Sequence, residues 1–255
     1  MGAAGRRIIA ELSIGEDGKL LDKVNLPAVE RTEDPYDVAS AYTADGIGEL
    51  LFRAVGTSFD ALTTLSRHVA SSLQIPCVFE CDATRPEPVG TLLDAGASCV
   101  IIQGAALRDP DHIALLARSF GPERIAVNIA ASGEADGWRV LTATHDETEW
   151  SAVTWARVAE TQGAGSVFLG SAGRSATSPA FDLALLELTR SHVAIPVIAR
   201  GSAERVEDLF DALMIGNADG VVVGELLHSG RATVPEIKAY LMDRGLGVWE
   251  VGVNE

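Results

Sequence analysis

The segment Ile75-Pro76-Cys77-Val78 recurs about 120 residues later as Ile195-Pro196-Val197-Ile198, and the run Ala97-Ser98-Cys99-Val100-Ile101 recurs as Ala218-Asp219-Gly220-Val221-Val222. The offset is close to half of the 255 residues. Each repeated segment contains a short apolar run of the kind that forms a buried strand. Two similar halves of four βα units build a closed eight-stranded barrel. The repeat therefore predicts an α/β protein with a (β/α)8 TIM barrel and a twofold half-barrel repeat.

Short apolar runs alternate with amphipathic stretches along the whole chain. Parallel strands that are buried on both faces are apolar throughout, and the helices between them repeat with a period near 3.6. The predicted strands are Arg7–Ile14, Glu49–Val55, Pro76–Cys81, Cys99–Gln103, Arg124–Ile129, Ser166–Ser171, Pro196–Arg200 and Gly220–Gly224. The predicted helices include Phe59–Leu73, His112–Phe120, Glu149–Gln162, Phe181–His192, Val206–Gly216 and Val234–Arg244. No linker interrupts this alternation, which predicts one domain over residues 1–255.

Composition narrows the classes of partner and cofactor. The net charge of −16, with 36 acidic residues against 20 basic ones, disfavours nucleic acids and anionic membrane surfaces. Residues 1–7 lead directly into a strand and no apolar run is long enough to span a bilayer, which favours a cytoplasmic protein. Cys77, Cys81 and Cys99 lie in apolar runs, and we expect buried thiols. The five histidines are scattered and no nucleotide-binding motif is present, so we expect no metal and no cofactor.

Further segments occur in the order of similar segments in one known family. They are Arg7-Ile8-Ile9-Ala10, Asp17-Gly18, Asn25-Leu26, Asp34-Pro35, Gly46-Ile47-Gly48-Glu49-Leu50, Gly163-Ala164-Gly165, Phe181-Asp182, Ile195-Pro196-Val197-Ile198-Ala199 and Ala218-Asp219. The chain resembles the cyclase subunit of imidazole glycerol phosphate synthase over almost its whole length. The resemblance implies a barrel that accepts ammonia from a glutaminase partner at its bottom face. At the top face, that family converts a phosphoribosyl-formimino nucleotide into imidazole glycerol phosphate and an aminoimidazole nucleotide.

The residues that the resemblance assigns to this chemistry are largely replaced. The family's acid and base are aspartates at the ends of strands one and five, and the matching positions here are Ser13 and Ala130. The side chain of alanine has no titratable proton, and the hydroxyl of serine ionises far from neutral pH. The family holds one substrate phosphate in a triple-glycine loop after strand three, where this chain has Glu80-Cys81-Asp82. Two carboxylates at that position would repel a phosphate. The resemblance thus indicates a divergent paralogue.

The second phosphate site of the family is better kept. Its matching residues are Gly201 and Ser202 in a segment expected to open a helix, together with Gly224 at the end of strand eight, although Glu225 intrudes. An alternative role for Ser202 is a helix N-cap that accepts backbone N–H groups. After strand six, Arg174 either closes over a ligand or lies in solvent.

The ammonia gate of the family, at the bottom of the barrel, is half kept. Arg7 and Glu49 match it, whereas a lysine and a second glutamate are replaced by Cys99 and Ser166. The family's gate is a ring of four charged residues, and such a ring would not function with two of them replaced by uncharged residues. The retained pair nevertheless leaves a glutaminase-like subunit as a candidate partner at this face.

The register of the family places one set of polar side chains in the barrel lumen. These inward residues are Glu11, Ser13, Arg53, Glu80, Asp82, Gln103, Asn128 and Arg200. Buried charges require partners, so we expect the three lumen carboxylates to pair with Arg53 and Arg200 in a cluster near the strand ends that supply catalytic residues in this fold. Two arginines suit a planar anion, and a small carboxylate or an amino-bearing metabolite fits better than a bis-phosphate. The alternative is a structural cluster that fills the lumen.

Three hypotheses about function remain open at this point. In the first, Glu11, Glu80 and Asp82 perform acid/base chemistry of a lyase or cyclase type on a small anionic metabolite, which Arg53 and Arg200 hold. In the second, the barrel is not catalytic and binds a glutaminase-like partner at its bottom face. In the third, the chain is an authentic cyclase in which Ser13 or Glu11 replaces a lost aspartate.

Overall fold

Eight parallel strands close into a barrel in the computed structural model, which describes residues 5–21, 34–134, 137–171 and 180–249. The described strands are β1 (Arg7–Ile14), β2 (Glu49–Ala54), β3 (Cys77–Glu80), β4 (Cys99–Ile102), β5 (Ile125–Glu134), β6 (Gly137–Leu141), β7 (Glu147–Ser151), β8 (Ser166–Ser171), β9 (Val197–Arg200) and β10 (Gly220–Val223). Strands β6 and β7 form an antiparallel extension from β5, and the other eight pair in chain order around the barrel. Arg7 lies opposite Gly220 where β1 meets β10. The predicted (β/α)8 barrel is confirmed.

Helices cover the outside of this barrel. Their bounds in the described ranges are α1 (Pro35–Ala44), α2 (Phe59–Leu73), α3 (Pro86–Asp94), α4 (Gly104–Arg108), α5 (Asp111–Phe120), α6 (Ala152–Thr161), α7 (Leu183–Arg190), α8 (Val206–Met214), α9 (Glu225–His228) and α10 (Val234–Asp243). Ser58, Ser151 and Asp182 start α2, α6 and α7 by accepting a backbone N–H group three residues further on. No helix in these ranges combines the length and the apolar character that crossing a membrane requires.

The predicted strand bounds agree with the structure to within one residue at each end, apart from the C-terminal end of β5. That strand continues to Glu134 and pairs with β6, so its predicted end at Ile129 was wrong. The helix predicted to begin at Glu149 was also wrong there, because Glu149 lies in β7 and the Ser151 cap sets the start of α6. The polar hairpin of β6 and β7 was not predicted.

The repeated sequence segments lie at equivalent places in the two halves of the barrel. The first pair leads into β3 and β9, and the second leads into β4 and β10. These are the third and seventh, and the fourth and eighth, strands of the barrel, so each repeat returns four strands later. The half-barrel arrangement that the sequence predicts is therefore the one observed.

The barrel lumen contains an apolar layer below a polar one. Eight buried side chains, one from each barrel strand, form the apolar layer: Ile9, Leu51, Val78, Ile101, Ala126, Phe168, Ile198 and Val222. Two residues further along each strand, where the side chain points to the same face, lie Glu11, Arg53, Glu80, Gln103, Asn128, Gly170, Arg200 and Gly224. The buried apolar layer lies beneath the polar layer, which faces the cavity at the carboxyl ends of the strands.

Candidate functional site

The polar layer forms the floor of an open cavity of about 660 Å³. All the candidate site residues of the top face line it: Glu11, Ser13, Arg53, Glu80, Asp82, Gln103, Asn128, Arg200, Gly201, Ser202 and Gly224. The inward orientation predicted from strand alternation is confirmed for the lumen residues among them except Asp82, which follows the end of β3 and lies at the rim. The positions that the resemblance assigns to the family's acid and base, Ser13 and Ala130, lie in the same lining.

Arg200, at the end of β9, joins three other residues of the cavity floor. Its Nη1 donates to Oε2 of Glu80 at 2.8 Å and to Oδ1 of Asn128 at 2.9 Å. Its Nη2 donates to Oε2 of Glu11 at 2.8 Å. Burial alone would lower the pKa of Arg200, but the carboxylates of Glu80 and Glu11 outweigh this effect and raise it. The Arg200 side chain is 13% exposed, so its charge is neutralised within the protein.

Glu11, in β1, accepts a second guanidinium. Nε of Arg53 lies 3.2 Å from Oε1 of Glu11, and Nη2 of Arg53 donates to Oγ of Ser13 at 3.3 Å. Both carboxylate oxygens of Glu11 therefore face an arginine. The Arg53 side chain is 44% exposed, and within the described residues its Nη1 makes no hydrogen bond. Arg53 is thus the more exposed of the two cavity arginines and keeps its Nη1 for a ligand.

Glu80 contributes one free oxygen to the cavity. Its Oε2 accepts from Arg200, whereas Oε1 accepts no hydrogen bond from any residue that the structure describes. The side chain is 14% exposed. Glu80 therefore presents a carboxylate oxygen to a ligand while Arg200 holds the other oxygen in place.

Asn128 and Gln103 complete the polar floor. Nδ2 of Asn128 donates to Oε1 of Gln103 at 3.0 Å, and Nε2 of Gln103 donates to the carbonyl oxygen of Leu141 at 3.3 Å. Because Oδ1 of Asn128 accepts from Arg200, this chain of hydrogen bonds runs from the ion pairs to the end of β6, next to the turn of the β6–β7 hairpin.

The predicted pairing of Asp82 with Arg53 or Arg200 was wrong. Its Oδ1 accepts the backbone N–H group of Ala105 at 2.8 Å, and its Oδ2 lies 3.6 Å from Arg108. Asp82 lies at the cavity rim because it follows the end of β3, and its carboxylate contacts α4. Its carboxylate occupies the first turn of α4, where an external anion would otherwise find the backbone donor.

The residues matched to the second phosphate site line the cavity, but Ser202 is not a helix N-cap. Helix α8 begins at Val206, and Asp208 accepts the N–H groups of Glu204 and Arg205 at 2.9 and 3.0 Å. The N–H group of Ser202 donates to the carbonyl oxygen of Ala180, so Gly201 and Ser202 do not open the helix, whereas the predicted helix start at Val206 is confirmed. A Cβ atom at position 201 would collide with the carbonyl oxygen of Ala180, which explains that glycine by packing. Arg174 and Asn25-Leu26 lie outside the described residues.

At the opposite end of the barrel, Arg7 and Glu49 form a two-contact ion pair. Nε and Nη2 of Arg7 donate to the Glu49 carboxylate at 2.8 and 2.6 Å. Burial alone would lower the pKa of Arg7, but the bond to Glu49 outweighs it and raises the pKa. Burial also raises the pKa of the neighbouring Cys99 thiol to about 12, which makes Cys99 a packed thiol.

Sequence reasoning missed His145, at the tip of the β6–β7 hairpin. Its backbone is left-handed, with φ of 63°, and its N–H group donates to Thr142 at 3.0 Å to close the turn. Thr142 and His145 both line the cavity. The hairpin is tied to the barrel by Nε1 of Trp138, which donates to buried Asp182 at 2.8 Å. The left-handed backbone of His145 and the extension of β5 are features of the structure that a hydrophobicity pattern does not show.

A second missed residue, His228, also lines the cavity and is almost fully buried. Its Nε2 lies 2.9 Å from the carbonyl oxygen of Glu11, and its Nδ1 lies 2.8 Å from the hydroxyl of Tyr42. A carbonyl oxygen only accepts, so Nε2 carries a proton. His228 therefore fixes the backbone that places Glu11 between its two arginines.

The fold and this site define a (β/α)8 barrel with a charged, open ligand cavity at the carboxyl ends of its strands, the usual place for active sites in this fold. A model of the family described as "Histidine biosynthesis protein" matches residues 16–233. The imidazole glycerol phosphate synthase subunit HisF of Myxococcus xanthus is 34% identical over 247 residues, which cover 95% of this chain and 97% of that protein. The corresponding subunit of Prochlorococcus marinus is 33% identical, over 94% and 96% of the two chains. The chain belongs to the histidine biosynthesis protein family, and the resemblance seen in the sequence is confirmed.

Proposed function

We propose that this barrel is a divergent member of its family that binds a small metabolite with one anionic group and performs acid/base chemistry of a lyase or cyclase type on it. The observation that carries the proposal is the cavity floor, where Arg53 and Glu80 keep unused polar atoms while their other atoms are held by the ion-pair network. Preorganised charged groups at strand ends are what catalysis in this fold requires.

Arg53 is the proposed anion-binding residue. Its Nη1 and the second hydrogen of Nη2 are available, and guanidinium groups bind planar carboxylates well. Arg200 holds the two glutamates in place, because its hydrogen bonds go to Glu11, Glu80 and Asn128. A buried arginine with these partners is a positioning residue.

Glu80 is the proposed proton-transfer residue. Its Oε1 would take a proton from the bound metabolite, the electron pair staying on the metabolite, and would return the proton later in the cycle. Glu11 and Asp82, the other carboxylates proposed for catalysis, have their oxygens engaged by Arg53 and Arg200 or by Ala105 and Arg108. Their proposed roles are to position Arg53 and to shape the rim.

The cyclase reaction itself is disfavoured by the same residues. Ser13 and Ala130 supply no acid and base, and Asp82 places a negative charge on the α4 turn beside a phosphate position. Phosphate binding at Gly201, Ser202 and Gly224 stays a proposal, supported by their place in the cavity lining.

A ligand screen by thermal unfolding tests this proposal. The panel contains phosphoribosyl compounds, imidazole glycerol phosphate, inorganic phosphate, small carboxylates and amino acids. A ligand at about 100 times its Kd adds roughly 2.7 kcal/mol of stability. We expect stabilisation by carboxylate-bearing compounds that R53Q removes, whereas R118Q, the same change on α5, retains it. Stabilisation by phosphoribosyl compounds alone would refute the proposal.

A partner at the bottom face is a second candidate function, favoured by the Arg7–Glu49 pair. The relatives are named as subunits of a synthase, so we propose that a glutaminase-like subunit docks there. Glu49 is only 6% exposed, so the pair also has a structural role. Analytical ultracentrifugation with such a subunit tests the docking: the wild type forms a complex, and sedimentation of both chains as separate species would refute it.

A further inference from the structure

We propose that the metabolite is a zwitterion, whose carboxylate binds Arg53 and whose ammonium group binds Glu80. This inference rests on the proposed function and adds the charge class of the ligand. Among the residues that the structure describes, the cavity lining carries four carboxylates and two guanidinium groups. The carboxylates belong to Glu11, Glu80, Asp82 and Glu225, and the guanidinium groups to Arg53 and Arg200.

Both guanidinium groups of the described cavity lining already form ion pairs with carboxylates. Arg200 contacts Glu11 and Glu80, and Arg53 contacts Glu11. The rim carboxylates of Asp82 and Glu225 have only exposed arginine partners, at 3.6 and 3.3 Å, whose effect solvent screens. Among the described lining residues, a ligand with several negative charges would therefore meet more carboxylates than guanidinium groups, and the net charge of −16 opposes its approach.

The two free groups of the floor are neighbours. Arg53 and Glu80 are direct register partners on the adjacent parallel strands β2 and β3. Adjacent strands lie about 4.8 Å apart, so the bases of the two side chains are close. Even so, Arg53 makes its ion pair with Glu11 on the other side, which leaves Nη1 of Arg53 and Oε1 of Glu80 unused by each other. One molecule with a carboxylate and an ammonium group a few bonds apart would satisfy both.

Calorimetric titration with three four-carbon probes tests this inference: 4-aminobutyrate, butyrate and butylamine. Each charge-assisted contact is worth about tenfold in affinity. We therefore expect 4-aminobutyrate to bind roughly tenfold more tightly than either single-charge probe. E80Q should remove its advantage over butyrate, and R53Q its advantage over butylamine. E207Q on α8 and R118Q on α5 make the same charge changes away from the cavity and should leave the order unchanged.

The outcomes separate this inference from the proposed function. Butyrate binding as tightly as 4-aminobutyrate, with loss in R53Q, would overturn the zwitterion and keep the anion site. Butylamine binding as tightly as 4-aminobutyrate would overturn both, because Arg53 would then have no part. The absence of binding by all three probes would also overturn both.

Discussion

Replacing Glu11 by glutamine removes the carboxylate that lies between Arg53 and Arg200, and we expect E11Q to lose about 2–3 kcal/mol of unfolding free energy. A hydrogen bond to a charged group is worth about 1.5–3 kcal/mol, and breaking a buried ion pair costs about 3–5 kcal/mol. The cost falls below that range because Arg200 keeps Glu80 and because the 44% exposed Arg53 contributes little. E80Q should cost only about 1–2 kcal/mol, since it affects one guanidinium rather than two.

The double variant gives the sharper result. With both glutamates replaced, the Arg200 side chain, which is 13% exposed, has no carboxylate partner. The loss in the double variant should therefore exceed the sum of the single losses by about 1 kcal/mol or more. Equilibrium unfolding in urea measures all four proteins. Additivity within about 0.5 kcal/mol, or single variants as stable as the wild type, would refute the network as described.

Three further results follow from the structure. Burial raises the pKa of the Cys77, Cys81 and Cys99 thiols to about 12. At pH 8, iodoacetamide should therefore label the protein only after unfolding, as measured by mass spectrometry. Rapid labelling of the native protein would contradict this prediction. H145G should raise stability by about 0.5–1 kcal/mol in thermal unfolding, because glycine adopts the left-handed backbone without strain, whereas glycine at Thr144 should not stabilise. W138F should lower the free energy of unfolding by about 1–3 kcal/mol, because it removes the donor to buried Asp182. Hydrogen exchange in β6 and β7 should become faster. Unchanged exchange there would show that this bond does not hold the hairpin against the barrel.

The fold was predictable because barrel strands are buried on both faces. Such strands carry continuous apolar runs that stand out from their surroundings, and strict alternation then assigns the lumen side, as for Ile9 and Glu11. The hairpin of β6 and β7 lacks that signal, because its residues alternate between Trp138 or Val140, which are buried, and exposed polar groups. Its continuation from β5 could not be seen in the apolar run, which gives way after Ala131 to Ser132-Gly133-Glu134.

The site was predictable as a set of residues and less so as a set of contacts. Strand register placed Glu11, Arg53 and Arg200 in one layer, and their ion pairs follow from the cost of burying a charge alone. The partner of Asp82 depends on where the chain turns after β3, which register does not determine. The amphipathic pattern placed the start of α8 correctly, but the capping residue is Asp208, which acts from within the helix, and not Ser202.

We propose that this family member no longer catalyses the cyclase reaction. An assay of that reaction with ammonia as the nitrogen donor tests this proposal directly. The purified protein is incubated with the phosphoribosyl-formimino nucleotide, and imidazole glycerol phosphate is measured. We expect none above the protein-free control, because Ser13 and Ala130 stand where the resemblance places the family's acid and base. If imidazole glycerol phosphate forms, and S13A or E11Q abolishes its formation, the proposed loss of the cyclase reaction is refuted and the chain is a working cyclase.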